Sequence, residues 1–383
     1  MRAWLNSTRR LALAACLIPL CGCSSLNPFA KSSPKMAELA PVEATATLVI
    51  DWEYSIGKAG AFVFYPAVAG DAIFVAAADG SLARLENGVE KWRVKTGKPL
   101  SAGVGSDGEL VVAGTRKGEV LAFSARDGAL LWQSAVSSEI LAPPLVEEGL
   151  VIVRSGDHHI TAFDNEGQQK WFFQRPTPSL SLRGAAPMLP AEAFVLTGFP
   201  GGKLVAVSKQ NGVSLWEGTV ALPKGATELE RIADVIAPPA ASGSVVCAAA
   251  FQGRVTCFDF AQEGNLLWSR DISSHTGLTL DNASVYVTDD ESVLHALNLA
   301  SGSSRWKMDK LLRRKLSAPQ SLGNYLVVGD TAGYLHIMNK ADGALAGRLK
   351  TDGSPIVVAP LRLSNNRLLL QTQAGRIYGL SAR

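Results

Sequence analysis

The sequence predicts an all-β chain folded as an eight-bladed β-propeller, and three observations carry that prediction. First, Trp52, Trp92, Trp132, Trp171, Trp216, Trp268 and Trp306 recur at intervals of 40, 40, 39, 45, 52 and 38 residues. A period near 40 built from strand-like runs marks propeller blades. Second, short runs of β-formers alternate with Gly turns. Leu110-Val111-Val112-Ala113-Gly114 is followed by a turn at Lys117-Gly118, then Val120-Leu121-Ala122-Phe123, a turn at Asp127-Gly128, and Leu130-Leu131-Trp132. A fourth strand precedes each unit, as at Pro144-Leu145-Val146. Third, the count closes at eight. The chain ends without a Trp strand, whereas the first Trp strand, 48–54, precedes any complete unit. The N-terminal strand therefore completes the last blade, and residues 47–383 divide into about 42 per blade. Eight is preferred to seven, and interlocked termini protect the edges of the ring.

Aligned on the third strand, a mostly small column runs through Arg84, Ala122, Ala162, Ala206, Cys257, Ala296, Ile337 and Gly379. Four positions earlier stand Gly80, Gly118, His158, Gly202, Gly253, Ser292, Gly333 and Gly375, which suits a hairpin turn needing positive φ. The seventh blade has Gly347 where its tryptophan belongs.

Composition limits the function classes. Of 383 residues, 47% are apolar and 19% charged, too apolar for a disordered chain and too dispersed for a polytopic membrane protein. The excess of three basic residues equals Arg2, Arg9 and Arg10, so the rest of the chain is neutral. A nucleic-acid partner is not expected.

Those three Arg open a targeting segment. LALAACLIPL (11–20) is an apolar core too short to span a membrane. Leu20-Cys21-Gly22-Cys23-Ser24 resembles the bacterial lipobox, which implies cleavage after residue 22 and lipidation of Cys23, with an acyl chain such as palmitate on its amine. A second match ending at Cys16 leaves too short an apolar core. Ser24 resembles the pattern sorted to the outer membrane. Residues 23–46, rich in Ser, Pro, Ala and Lys, are expected to form the lipidated tether, and 47–383 the propeller.

The search for reactive chemistry finds little. His295 and His336 occupy equivalent third-strand positions, His158 and His159 share a turn, and no His or Cys spacing suits a metal. Cys247 and Cys257 lie on successive strands. Buried small hydrophobes is the preferred reading, with a cross-strand disulfide the alternative. Asp127-Gly128-x-x-x-Trp132 resembles the repeat of pyrroloquinoline-quinone enzymes, but there the Trp is structural. Their vicinal Cys pair is absent here, and no acid cluster matching their calcium site is evident. No cofactor is expected.

The repeat breaks twice, around 176–190 and 222–239, each time after a Trp strand and before the next blade. Loops in that position lie on one face, and consecutive blades make them neighbours. They hold Leu180-Ser181-Leu182-Arg183-Gly184 and Thr227-Glu228-Leu229-Glu230-Arg231-Ile232-Ala233-Asp234-Val235. Leu beside Arg and Asp suits a protein contact. The alternative is a self-packed pair in which Arg183 and Asp234 bind each other.

With the lipobox and the eight blades, these two runs resemble the BamB family of the outer-membrane β-barrel assembly machinery. The resemblance implies a non-enzymatic scaffold lipoprotein on the periplasmic face of the outer membrane that binds a POTRA domain of BamA and assists insertion of barrel proteins. It leaves room for direct contact with unfolded outer-membrane substrates. It carries the family's partner contact onto Leu180, Leu182, Arg183 and Asp234. Ile236 stands where the family has a second acid, so apolar packing is expected there. The competing classes are a periplasmic peptide- or glycan-binding propeller and a quinone-dependent dehydrogenase.

Overall fold

The computed structural model describes residues 35–184, 186–363 and 366–383. The targeting segment and Cys23 lie outside them, and so does the lipidation expected there.

The chain forms eight four-stranded antiparallel sheets. Blade 2 is representative, with strands Gly105–Ser106, Leu110–Gly114, Glu119–Ser124 and Leu130–Ala135. First strands of neighbouring blades pack together around the axis. Second and third strands are buried almost throughout, and outer strands alternate towards solvent. Blade 8 consists of Leu361–Arg362, Arg367–Gln371 and Arg376–Ala382, and its outer strand is Leu48–Ser55, paired from Leu48 with Ala382 to Ser55 with Arg376. The predicted architecture and its closure by the N-terminal strand are both present.

No blade buries its faces alone, so the core sits between blades. Each of eight apolar clusters is shared by two neighbours. One joins Phe74 and Leu82 of blade 1 to Val111 and Leu121 of blade 2. Another closes the ring between Leu369 and Ile377 of blade 8 and Ile73 and Val75 of blade 1.

The tryptophans act across these interfaces. Each indole lies on a turn glycine of the next blade. A Cβ on Gly88, Gly128, Gly167, Gly212, Gly264, Gly302 or Gly343 would come within 2.9 Å of the preceding Trp. Five indoles also donate to a carbonyl of that blade: Trp92 to Ala125 (3.0 Å), Trp132 to Asn165 (2.7 Å), Trp171 to Lys209 (2.6 Å), Trp268 to Leu299 (2.7 Å) and Trp306 to Lys340 (2.8 Å). The small column is the cross-strand partner of the same Trp, as Ala122 is of Trp132. The sequence repeat is therefore a packing rule. Gly128 receives Trp92, and Trp132 is passed on to Gly167.

Blade 7 reverses the sizes, with Ile337 opposite Gly347. Backbone fills the place of the missing indole. The amides of Thr45 and Ala46 both donate to Ala346 O (2.8 and 3.0 Å), and a Cβ on Gly347 would collide with Ala46 O. Upstream, Ala37 N donates to Leu312 O (3.0 Å), Arg314 Nη1 to Ala37 O (2.8 Å) and Arg348 Nη2 to Ala40 O (3.2 Å). Leu39 packs on the cluster between blades 6 and 7. The folded body thus begins at Met36, and residues 36–46, expected in the tether, form a strap across blade 7. Carbonyl acceptors hold it, which is why composition suggests no structure there.

Arg314 is itself fixed by buried Asp330 (2.6 Å), which also takes His336 Nε2 (2.9 Å). Burial acts to raise the Asp330 carboxyl, but His336, the Tyr334 amide and Arg314 outweigh it and hold it below the ordinary carboxylate value. His295 pairs with Asp289 in the same way (2.8 Å). In the turn column, Gly80, Gly118, His158, Gly202, Ser292, Gly333 and Gly375 have positive φ, and in blade 5 Gln252 takes that role instead of Gly253.

Cys247 and Cys257 are directly opposed on adjacent strands, with Cα atoms 4.1 Å apart, and form a disulfide. This overturns the preference for buried thiols. Direct cross-strand pairing brings the two Cβ atoms close enough to bridge.

Two outcomes follow. Gly347→Ala displaces the strap and leaves the ring intact, so hydrogen exchange at Thr45 and Ala46 rises by at least about tenfold while the circular dichroism is unchanged. Unchanged protection would show that the strap does not depend on this glycine. Replacing both Cys247 and Cys257 by Ala lowers the unfolding free energy by about 2–3 kcal/mol in denaturant titrations, because the bridge closes a loop of sequence separation 10.

Candidate functional site: a stitched pair of loops on one face

A blade has an even number of strands, so every connection from an outer strand to the next inner strand emerges on the same face. Two such connections are long. Residues 174–188 follow the strand Gln169–Phe173, and 220–239 follow Ser214–Thr219.

Asp234 joins them. Its carboxylate is buried. Oδ2 accepts from the Leu182 amide (2.7 Å) in the first loop, and Oδ1 accepts from the Gly201 amide (3.0 Å) in the turn between them. Ile236 packs against Gly184, where an added Cβ would stand 3.2 Å from the isoleucine.

Below lies a polar network. Buried Arg154 donates to Thr197 Oγ1 (3.1 Å), and both Arg154 and Arg175 stack on Phe199, 5.2 and 5.3 Å from its centroid. Burial lowers the Arg154 pKa to about 10, opposed by the charge of Asp234. Burial, reinforced by Arg154, lowers that of His158 to about 4. His158 is therefore neutral at physiological pH. A guanidinium only donates, so its contact with Nδ1 (3.4 Å) makes that atom the acceptor and leaves the proton on Nε2, which donates to Ser181 Oγ (3.1 Å). The first loop is thus pinned from beneath at Ser181 and from the side at Leu182.

Arg183 does not bind Asp234. It makes a bidentate pair with Glu139 of the preceding loop (2.8 and 2.6 Å), and the Glu139 hydrogen bonds raise its pKa further. The pair is solvent-exposed, so it orients the guanidinium more than it stabilises the fold.

The five residues singled out from sequence thus take different places. Leu180 is 40% exposed, Leu182 is half-buried, and Arg183 is exposed on the rim. Asp234 lies below the surface with both oxygens committed to backbone amides, so its expected role as a direct contact becomes one of positioning. Ile236 is half-buried and, with Arg183, lines a funnel of about 330 Å³ on this face. Glu139, Arg154 and Thr197 carried no sequence signal. His158 carried one, since it replaces glycine in a positive-φ column. Leu222 and Leu229 also stand out from the second loop, 65% and 67% exposed.

A family model described as outer membrane protein assembly factor BamB matches residues 84–308. The BamB of Burkholderia pseudomallei is 42% identical over 377 residues, covering 97% of each chain. This chain belongs to the BamB family. The BamB of Bordetella pertussis is 39% identical over 384 residues, spanning 100% of this chain and 98% of that one. The crystal structure of BamB from Moraxella catarrhalis superposes with a TM-score of 0.81 at 27% identity, over 88% of this chain and 100% of that one. Quinohemoprotein alcohol dehydrogenase from Comamonas testosteroni shares the fold alone, with a TM-score of 0.68 at 14% identity over 87% of this chain and 76% of that one. BamB-family proteins are outer membrane protein assembly factors.

The neutral His158 makes the loop support acid-sensitive. Its folded pKa, about 4, lies below the unfolded value near 6.5. Its contribution is complete above pH ~6.5 and is lost as pH falls through that window towards 4. His158→Asn keeps a residue tolerant of positive φ and flattens the fall in melting temperature between pH 7 and 5. Parallel profiles for variant and parent would assign the acid sensitivity elsewhere.

Proposed function

We propose that this chain is a non-catalytic scaffold lipoprotein of the β-barrel assembly machinery, anchored at Cys23 to the outer membrane and facing the periplasm, and that its loop pair docks a POTRA domain of BamA. The observation that carries this reading is the loop pair itself. On a regular ring it is a protrusion whose backbone is fixed from within by Asp234 and His158 and whose outer side presents leucines. Rigid loops on a rigid scaffold bind without a large ordering cost.

Leu180 and Leu182 supply apolar area, about 1.5–3 kcal/mol for each leucine fully buried. Arg183 enters already oriented by Glu139, with guanidinium donors left for partner carbonyls or acids. Ile236 extends the apolar part towards the funnel. The disulfide agrees with an oxidising compartment. Held at the membrane by lipid and by BamA on its loops, the disc orients the POTRA arm and assists barrel insertion.

The test is retention of BamA from detergent-solubilised envelopes by the wild-type chain and by Leu182→Asp/Arg183→Glu, both confirmed folded by circular dichroism. The double variant loses at least about tenfold of the captured BamA, as expected for removal of one buried leucine. Equal retention would move the contact off these loops, and no capture by the wild type would overturn the assignment.

A further inference from the structure

One segment contradicts the neutral balance of the chain. Lys307-Met308-Asp309-Lys310-Leu311-Leu312-Arg313-Arg314-Lys315 holds five basic residues and one acid. It ends the strand Ser304–Met308 and begins the connection to Gln320–Leu322, so it lies on the face that carries the partner loops. Met308, Leu311 and Arg314 are buried and fix the segment to the body. Lys307, Lys310, Arg313 and Lys315 are exposed. Arg313 reaches Glu291 only loosely, at 3.4 Å between exposed side chains. Among the described residues, Lys307, Lys310 and Lys315 have no carboxylate within ion-pairing distance, so their charge is not neutralised locally.

The second observation is where the chain leaves the body. The strap is clamped to this same segment, since Ala37 N donates to Leu312 O and Arg314 Nη1 to Ala37 O. Thirteen residues lie between Cys23 and Ala37, so the two are at most about 50 Å apart in a fully extended chain. Any leaflet that holds lipid on Cys23 therefore lies within that reach of the basic segment.

We propose that this basic corner is a docking surface for anionic phospholipid headgroups, resting on the lipid-anchor reading above. Acyl chains supply one attachment and the exposed Lys and Arg a second, as in two-signal membrane binding. Each basic residue close to an anionic leaflet strengthens binding roughly fivefold. The second attachment also sets direction. It turns the blade 6–7 sector of the loop face towards the bilayer, which brings the POTRA-docking loops to the membrane side of the disc.

The test uses the chain from residue 23 with Cys23→Ser, so that no acyl chain contributes, and it retains the whole folded unit from Met36. It is sedimented with vesicles of equimolar phosphatidylglycerol and phosphatidylcholine, and with vesicles of phosphatidylcholine alone. The expected result is salt-sensitive binding to the anionic vesicles only. Lys310→Glu/Lys315→Glu weakens it at least about tenfold, and Lys310→Gln/Lys315→Gln weakens it less. Arg126→Glu, in a turn on the opposite face, leaves it unchanged. Circular dichroism checks that each variant is folded. Absence of binding to anionic vesicles, or equal binding by the charge-reversed variant, overturns the proposal. The anchor reading is tested separately by the intact mass of the chain extracted from envelopes, which must carry acyl chains on Cys23.

Discussion

The ring depends on one contact, an indole laid on a glycine turn of the next blade. It explains why three sequence features travel together. The glycine leaves room for the preceding blade's Trp, the small residue lies under the blade's own Trp, and the Trp reaches forward to repeat the pattern. A four-stranded sheet of this size cannot exclude water from both faces, so each blade is stable only as part of the series. Blade 7 shows that volume matters rather than the indole as such. There a large Ile337 and a stretch of backbone fill the same space around Gly347.

The departures from this rule are as firmly ordered as the ring. The two long connections hang from strands whose positions the ring already determines, and a few buried polar groups set their shape. Asp234 is used on two amides, His158 on a hydroxyl and Arg154 on Thr197. A carboxylate buried against backbone amides is costly to move, because each lost partner leaves an unsatisfied group. The loops therefore present their leucines from a backbone that these buried polar groups hold in place.

Much of this was legible in the sequence. The Trp period, the unmatched first strand and the two long intervals located the blades, the closure and the loop pair, because each follows from spacing alone. The cysteine pair was nearly legible. Cys247 and Cys257 align with Val112 and Ala122, which are cross-strand partners in blade 2. Burial alone suits thiols at these positions, and the cross-strand register is what joins them. The strap was invisible because carbonyls hold it, and every residue supplies one. Spacing also cannot tell an acid at a surface from one folded beneath it, so it locates Asp234 on the second loop but not its burial against two backbone amides. His158 is legible in principle, since a side chain in a positive-φ glycine column signals a compensating local interaction.

Closure by the N-terminal strand also orders events in time. Synthesis from the N-terminus delivers Leu48–Ser55 first and its partner Arg376–Ala382 last. Joining such distant ends costs little extra free energy, because closure entropy grows only logarithmically with loop length. The delay is the greater hazard. Until the last residues arrive, two strand edges stay open to pairing with any other chain nearby. The ring thus checks its own length, and a chain cut short of its final strand keeps an adhesive edge that marks it as incomplete.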